Sequence, residues 1–175
     1  MSINEIKAGN SLPNDINVII EIPAFADPIK FEMDKESGML KVDRFVGTSM
    51  RYPCNYGYVP HTLSEDGDPL DVLVLTPYPL ISGCFINCRP IGMLRMSDES
   101  GIDTKILAVP NKKLTPLYND VGSYTDIPEL TLSQIVHYFE HYKDLEPNKW
   151  VKVERWEGAE SAHAEILAGI ERYKG

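Results

Sequence analysis

Three absences narrow what this 175-residue chain can be. Cysteine is scarce: Cys54, Cys84 and Cys88 form no C-x-x-C pair and no Cys/His spacing of a zinc site, so neither a disulfide framework nor a zinc ribbon is encoded. They read as small core residues in a reducing compartment. Long apolar runs are missing too. No stretch approaches the ~20 residues of a membrane span, and Met1 to Asn10 lacks a signal-peptide core, so the expected location is cytoplasmic. Basic charge is in deficit, with 17 Lys and Arg against 26 Asp and Glu and a net charge of -9. That balance argues against a sequence-independent nucleic-acid binder, an oligonucleotide-binding barrel included. It leaves room for a small phosphate-bearing substrate that arrives with its own metal ions. No Walker loop and no G-x-G-x-x-G follows any strand, which removes nucleotide-cradle mechanisms.

What is present is an ordinary globular composition, 43% hydrophobic and 25% charged, long enough for one domain spanning 1–175 with a real core. Within it lies a knot of acid, Glu65-Asp66-Gly67-Asp68-Pro69-Leu70-Asp71, that runs into the apolar Val72-Leu73-Val74. Asp66, Asp68 and Asp71 can be no more than about 17 Å apart even in extended chain, and Gly67 and Pro69 favour a bend. Carboxylates 4 Å apart repel by roughly 4 kcal/mol at an effective dielectric of about 20. A packed cluster therefore calls for a hard divalent cation, Mg2+ above all. A solvated acidic turn is the competing reading of this stretch alone.

Val18-Ile19-Ile20-Glu21-Ile22 predicts a buried strand stopped by Pro23, with Glu21 turned into a polar cavity or onto a solvated edge. Ile29 to Asp34 alternates strictly and turns at Glu36-Ser37-Gly38 into a partner strand, Met39 to Phe45. Arg44 there has the parity of Leu40 and Val42, which demands either an anion on that side or a bulge. Lys30 and Glu32 could equally be a cross-paired solvated face. Tyr52, Tyr56 and Tyr58 surround turn residues and suit either a site wall or a core. Strands are predicted over 72–75, over 84–96 with a bend at Pro90 and Gly92, over 106–109 and over 151–153. A second acidic loop, Ser97 to Lys105, precedes its strand as the first does, so the two loops could meet at one mouth. Leu132, Ile135, Val136, Phe139 and Tyr142 mark one helix after Pro128, and Ala159 to Tyr173 a second. The resulting expectation is an α+β domain, a small antiparallel barrel covered by two helices.

His137-Tyr138-Phe139-Glu140-His141 fits the H-x-x-E-H pattern of inverted zinc peptidases. Both histidines, however, fall opposite the apolar stripe, where a subunit contact is the alternative, and only 34 residues follow. The acidic knot is no EF-hand, since Asp71 stands where glycine is required and Pro77 where the twelfth ligand belongs. What remains are the carboxylates Glu21, Glu32, Asp66, Asp68, Asp71, Asp98 and Asp103 beside Lys30, Arg44, Lys105, Lys143, Tyr52, Tyr56 and Tyr142. Carboxylates for several metal ions and cations for several phosphate oxygens are the parts that metal-assisted phosphoryl transfer to water uses.

The segment Asp66-Gly67-Asp68-Pro69-Leu70-Asp71-Val72 resembles the signature of soluble family I inorganic pyrophosphatases. The likeness extends through Ile20-Glu21-Ile22-Pro23, Pro28 to Glu32, Val42 to Phe45, Tyr52 to Tyr58, Met96 to Glu99 and Phe139 to Leu145. The length is that of the short bacterial form. The resemblance implies a five-stranded OB-like barrel, dependence on several Mg2+ ions, hydrolysis of pyrophosphate to two orthophosphates, and a homohexamer built as a dimer of trimers. It also implies that Asp66, Asp71 and Asp103 hold the tighter metals and that Asp98 and Glu21 help with the others. Asp68 is then the general base. Lys30, Arg44, Lys105, Tyr142 and Lys143 bind phosphate with Tyr56 close by, Glu32 and Tyr52 support them, and His137 and His141 lie near a subunit contact.

Overall fold

The computed structural model describes residues 5–34 and 36–174; Met1 to Asn4, part of the stretch that lacks a signal-peptide core, lie outside them. The order is β1 (Ile16–Ile22), β2 (Ile29–Met33), β3 (Leu40–Phe45), β4 (Asn55–Tyr58), β5 (Asp71–Val74), β6 (Phe85–Asp98), β7 (Gly101–Ile102), β8 (Lys105–Pro110), α1 (Glu129–His141), β9 (Val151–Gly158) and α2 (Ala159–Lys174). The described helices are too short or too polar to cross a membrane.

The ladder runs β1–β4–β5–β8–β6 and returns from β6 to β1, so five strands form a closed circuit. The main sheet nevertheless has seven strands rather than five, because β7 and β9 also pair with β6. At 14 residues β6 outruns the circuit. Its pairing with β8 shifts between Pro90 and Gly92, at the bend the sequence predicts, and this bulge lets one strand serve several partners. The sheet is not wholly antiparallel either: β5 and β8 run parallel, with Asp71 opposite Lys105. Hairpin β2–β3 forms a separate two-stranded sheet.

Strands buried on both faces lack a solvated side, which is why several read as continuous apolar runs. Along β5 and β8, Val72, Val74, Ile106 and Ala108 enter one core with Ala162 and Ile166 of α2. Leu73, Leu107 and Val109 enter the other with Ile135, Tyr138 and Phe139 of α1. In β4, Asn55 and Gly57 suit a turn by residue type, and the structure explains why a strand uses both. A Cβ on Gly57 would lie 2.0 Å from the Ile19 carbonyl oxygen, so only glycine permits the close approach of β1. Asn55, fully buried, accepts from the Ala24 and Leu80 amides at 3.0 and 2.9 Å and donates to the Val74 carbonyl and the Thr76 hydroxyl. Its side chain knits three segments that lack a common ladder.

The last turns of α2 grip the neck of the first acidic loop. The Leu63 amide donates to the Gly169 carbonyl at 2.9 Å, and Arg172 Nη1 donates to the Leu63 carbonyl at 3.0 Å. Inside that neck the Thr62 hydroxyl accepts from the Leu70 amide and donates to the Val59 carbonyl.

Candidate active site

Parallel pairing of β5 with β8 puts the starts of both strands, and hence both acidic loops, at one end of the sheet. There they border a cavity of about 430 Å³. All fourteen side chains singled out from the sequence line it: Glu21, Lys30, Glu32, Arg44, Tyr52, Tyr56, Asp66, Asp68, Asp71, Asp98, Asp103, Lys105, Tyr142 and Lys143. Tyr58, Glu99 and Lys149 also line it and are not among those fourteen. Glu99 and Tyr58 stand beside or two residues from members of the set, a signal that proximity could have supplied. For Lys149, six residues past Lys143, no local pattern points inward.

Two bulges aim residues into this space. On β1, Ile20 pairs with Gly57 and Ile22 with Tyr56, which leaves Glu21 as the extra residue. On β3, Val42 pairs with Phe31 and Arg44 with Lys30, so Asp43 is extra and Arg44 leaves the parity of Val42. The parity conflict at Arg44 is thus resolved by a bulge. Lys30 and Glu32 do pair, Nζ to Oε1 at 2.7 Å, while both face the cavity.

The electrostatics are those of crowded, half-compensated charge. Lys105 is 4% exposed, and its Nζ donates to Asp71 Oδ2 and Asp103 Oδ1, each at 2.5 Å. Burial pushes its pKa down, but the two carboxylates outweigh burial and hold it above the ordinary lysine value. Lys143 donates to Asp98 Oδ2 at 2.7 Å and lies 3.4 Å from Glu99, which also meets Lys149 at 3.2 Å. Burial alone would raise Glu99; its own backbone amide and the two ammoniums hold it at about 2. Glu21 accepts from the Met33 amide at 2.7 Å, yet burial, with Asp71 and Glu32 adding repulsion, pushes it up to about 8. Burial and the nearby Asp68, Asp103 and Asp71 likewise raise Asp66, against the Asp68 amide that donates to it.

Eight acidic and five basic side chains line the cavity, so it is net negative, and an anion could share it only with added cations. The donor set, all oxygen, suits hard divalent ions. Lys105 already shows that Asp71 and Asp103 share one cation. Among the described residues no three His, Cys, Asp or Glu side chains form a ready-made cage. Mg2+ fits that arrangement, being held through one or two carboxylates plus waters and phosphate oxygens rather than by an all-protein cage. His137 and His141 are exposed on α1 with ring centroids 4.7 Å apart, and His141 Nδ1 lies 2.8 Å from Asp144. They lie outside the cavity lining.

The sequence matches the "Inorganic pyrophosphatase" family over residues 18–174. It is 62% identical over 174 residues to the inorganic pyrophosphatase of Escherichia coli strain K12, covering 99% of each chain. The fold superposes with a TM-score of 0.93 on an inorganic pyrophosphatase of Coxiella burnetii, at 55% identity over 96% of this chain and 99% of that one. The Thermus thermophilus inorganic pyrophosphatase gives the same TM-score at 38% identity, with both chains covered in full. With the family matched from the first apolar strand to the last helix, the chain belongs to the inorganic pyrophosphatase family, in its family I bacterial form.

Proposed function

We propose that this protein, as one domain over 1–175, hydrolyses inorganic pyrophosphate to two orthophosphates with several Mg2+ ions. The observation that carries the reading is one cavity lined by eight carboxylates interleaved with lysines, an arginine and tyrosines. Asp66, Asp71 and Asp103 would hold the more tightly bound ions, with Asp98 and Glu21 assisting. When bound, the ions would lower the pKa of water and offset phosphate charge.

The rest is work for the chain's own groups. Asp68, exposed on its loop beside this wall, takes a proton from the attacking water as general base. A new O–P bond forms, the bridging P–O bond breaks, and the electron pair leaves with the second phosphate. Lys30, Arg44, Lys105 and Lys143 spread the developing charge, with the Tyr142 hydroxyl donating and Tyr56 walling the site; Glu32 orients Lys30 and Tyr52 backs Tyr56. Lys105 and Lys143 are poised for this because Asp71 and Asp103 hold the first in place and Asp98 the second.

Phosphate release from pyrophosphate, measured with and without Mg2+, tests the reading; no release in either condition would refute it. Asp68→Asn should lower turnover about 10²-fold or more while Mg2+ still binds, and near-normal turnover would remove Asp68 from its role. The proposal extends to a cytoplasmic homohexamer, a dimer of trimers with an OB-like barrel in each subunit and His137 and His141 near a contact. The exposed histidine pair on α1 favours it, and sedimentation of His137→Ala should show a weaker oligomer with the chemistry retained.

A further inference from the structure

Two half-buried arginines, Arg89 and Arg44, are held in different ways. Arg89 is a strut, its Nη1 and Nη2 donating to the Val121 and Tyr118 carbonyls at 3.0 and 2.7 Å. Arg44 reaches into the cavity and, among the described residues, is met by one carboxylate, Glu146, with Nη1 and Oε2 3.4 Å apart. Arg44 Nε and Glu146 Oε1 are buried, and neither has a hydrogen-bond partner among the described residues. A guanidinium and a carboxylate can form two parallel bonds; here one long contact is made, and a donor and an acceptor are left in reserve. Arg44 also stands directly opposite Lys30 across the hairpin, a like-charge pairing that costs stability. Lys30 has Glu32 at 2.7 Å and Asp43 at 3.5 Å to answer its charge. For Arg44 that counterion is Glu146, which is outside the cavity lining.

Glu146 does not come from a neighbouring strand. It lies in the turn that follows α1, where its amide donates to the Lys143 carbonyl at 2.9 Å and its carbonyl accepts from the Lys149 amide at 3.3 Å. The same short turn sends Lys143 and Lys149 to Asp98 and Glu99. We propose that Glu146 is a positioning residue: it fixes the Arg44 guanidinium against the repulsion of Lys30, and through its turn it sets Arg44 and Lys143 at a constant separation across the cavity. The inference rests on the phosphate-binding reading of that cavity. A ligand with two phosphoryl groups linked by a bridge is the chemistry that rewards such a fixed separation, whereas a single phosphate engages either cation alone.

The test compares steady-state phosphate release from pyrophosphate by the wild type, Glu146→Gln, Glu146→Asp, Arg44→Met and the double variant Glu146→Gln/Arg44→Met, with thermal unfolding of each. Glu146→Gln should raise KM about 5- to 20-fold with kcat changed less than about twofold, the pattern of lost binding rather than lost chemistry. Glu146→Asp, which keeps the charge, should recover part of that rise. In the Arg44→Met background Glu146→Gln should change KM by less than about twofold, because its effect passes through Arg44. An unchanged KM in Glu146→Gln, or an undiminished rise without Arg44, overturns the proposal. Should Glu146→Gln fail to fold, Glu146→Asp takes its place: a KM rise that persists in an Arg44→Met background refutes the positioning role, and a rise abolished there supports it. Absence of phosphate release by the wild type would instead refute the pyrophosphatase reading itself.

Discussion

Glu21 offers the sharpest physical test of the site, because burial disfavours its ionised form. Glu21 is 8% exposed, and burial raises its pKa from 4.5 to about 8. Between these values the folded state keeps a proton that the unfolded chain has lost, so stability falls as pH rises. Each pKa unit is worth about 1.4 kcal/mol, and the loss accumulated by pH 8 is roughly 4–5 kcal/mol. Glu21→Gln preserves an oxygen to accept the Met33 amide and removes the ionisation. Urea unfolding with EDTA, at fixed protein concentration, should show the variant gaining on the wild type by about 3–4 kcal/mol between pH 5 and pH 8. Adding Mg2+ should narrow the gap at pH 8 by stabilising the wild type, while phosphate release by the variant falls. A gap that is equal at both pH values would refute the claim that burial destabilises the Glu21 carboxylate.

Asp71→Asn should weaken Mg2+ binding at least about tenfold in titration calorimetry and cost about 1–3 kcal/mol of stability, since buried Lys105 keeps Asp103 but loses a partner; an unchanged isotherm would remove Asp71 from the metal-binding set. Asn55→Ala leaves the buried Ala24 amide and the part-buried Leu80 amide without an acceptor and should cost about 3 kcal/mol or more by urea unfolding; a loss below about 1 kcal/mol would show that those amides find other partners. Arg172→Ala releases the Leu63 carbonyl and the Glu165 carboxylate. Amide exchange should then quicken over residues 62–70 with the β5 and β8 amides unchanged, and equal protection would mean that the Arg172 contact does not restrain the acidic loop.

Much of the site is legible in the sequence because its residues break local patterns. Glu21 interrupts an apolar run, Arg44 sits at the wrong parity, and Asp66, Asp68 and Asp71 crowd one turn; such conflicts with local rules mark functional positions. Lys149 and Glu146 break no pattern, being charged residues in a polar turn, and only the path of that turn gives them a place. Strand β4 is hidden for the opposite reason. Asn55 and Gly57 are ordinary turn formers, and their use in a strand depends on a backbone 2.0 Å from an absent Cβ and on four long-range hydrogen bonds.

By itself the sequence determined the strands with clear alternation, the two amphipathic helices and the acid-rich loops, since these follow from side-chain period and local charge. The tertiary structure alone decided that β5 and β8 run parallel and that β6 is long enough to recruit β7 and β9. It also placed the bulges at Glu21 and Asp43. Parallel pairing joins residues distant along the chain, and no local period encodes it. Yet that pairing sets Asp71 beside Lys105 and brings two separate acidic loops to one mouth.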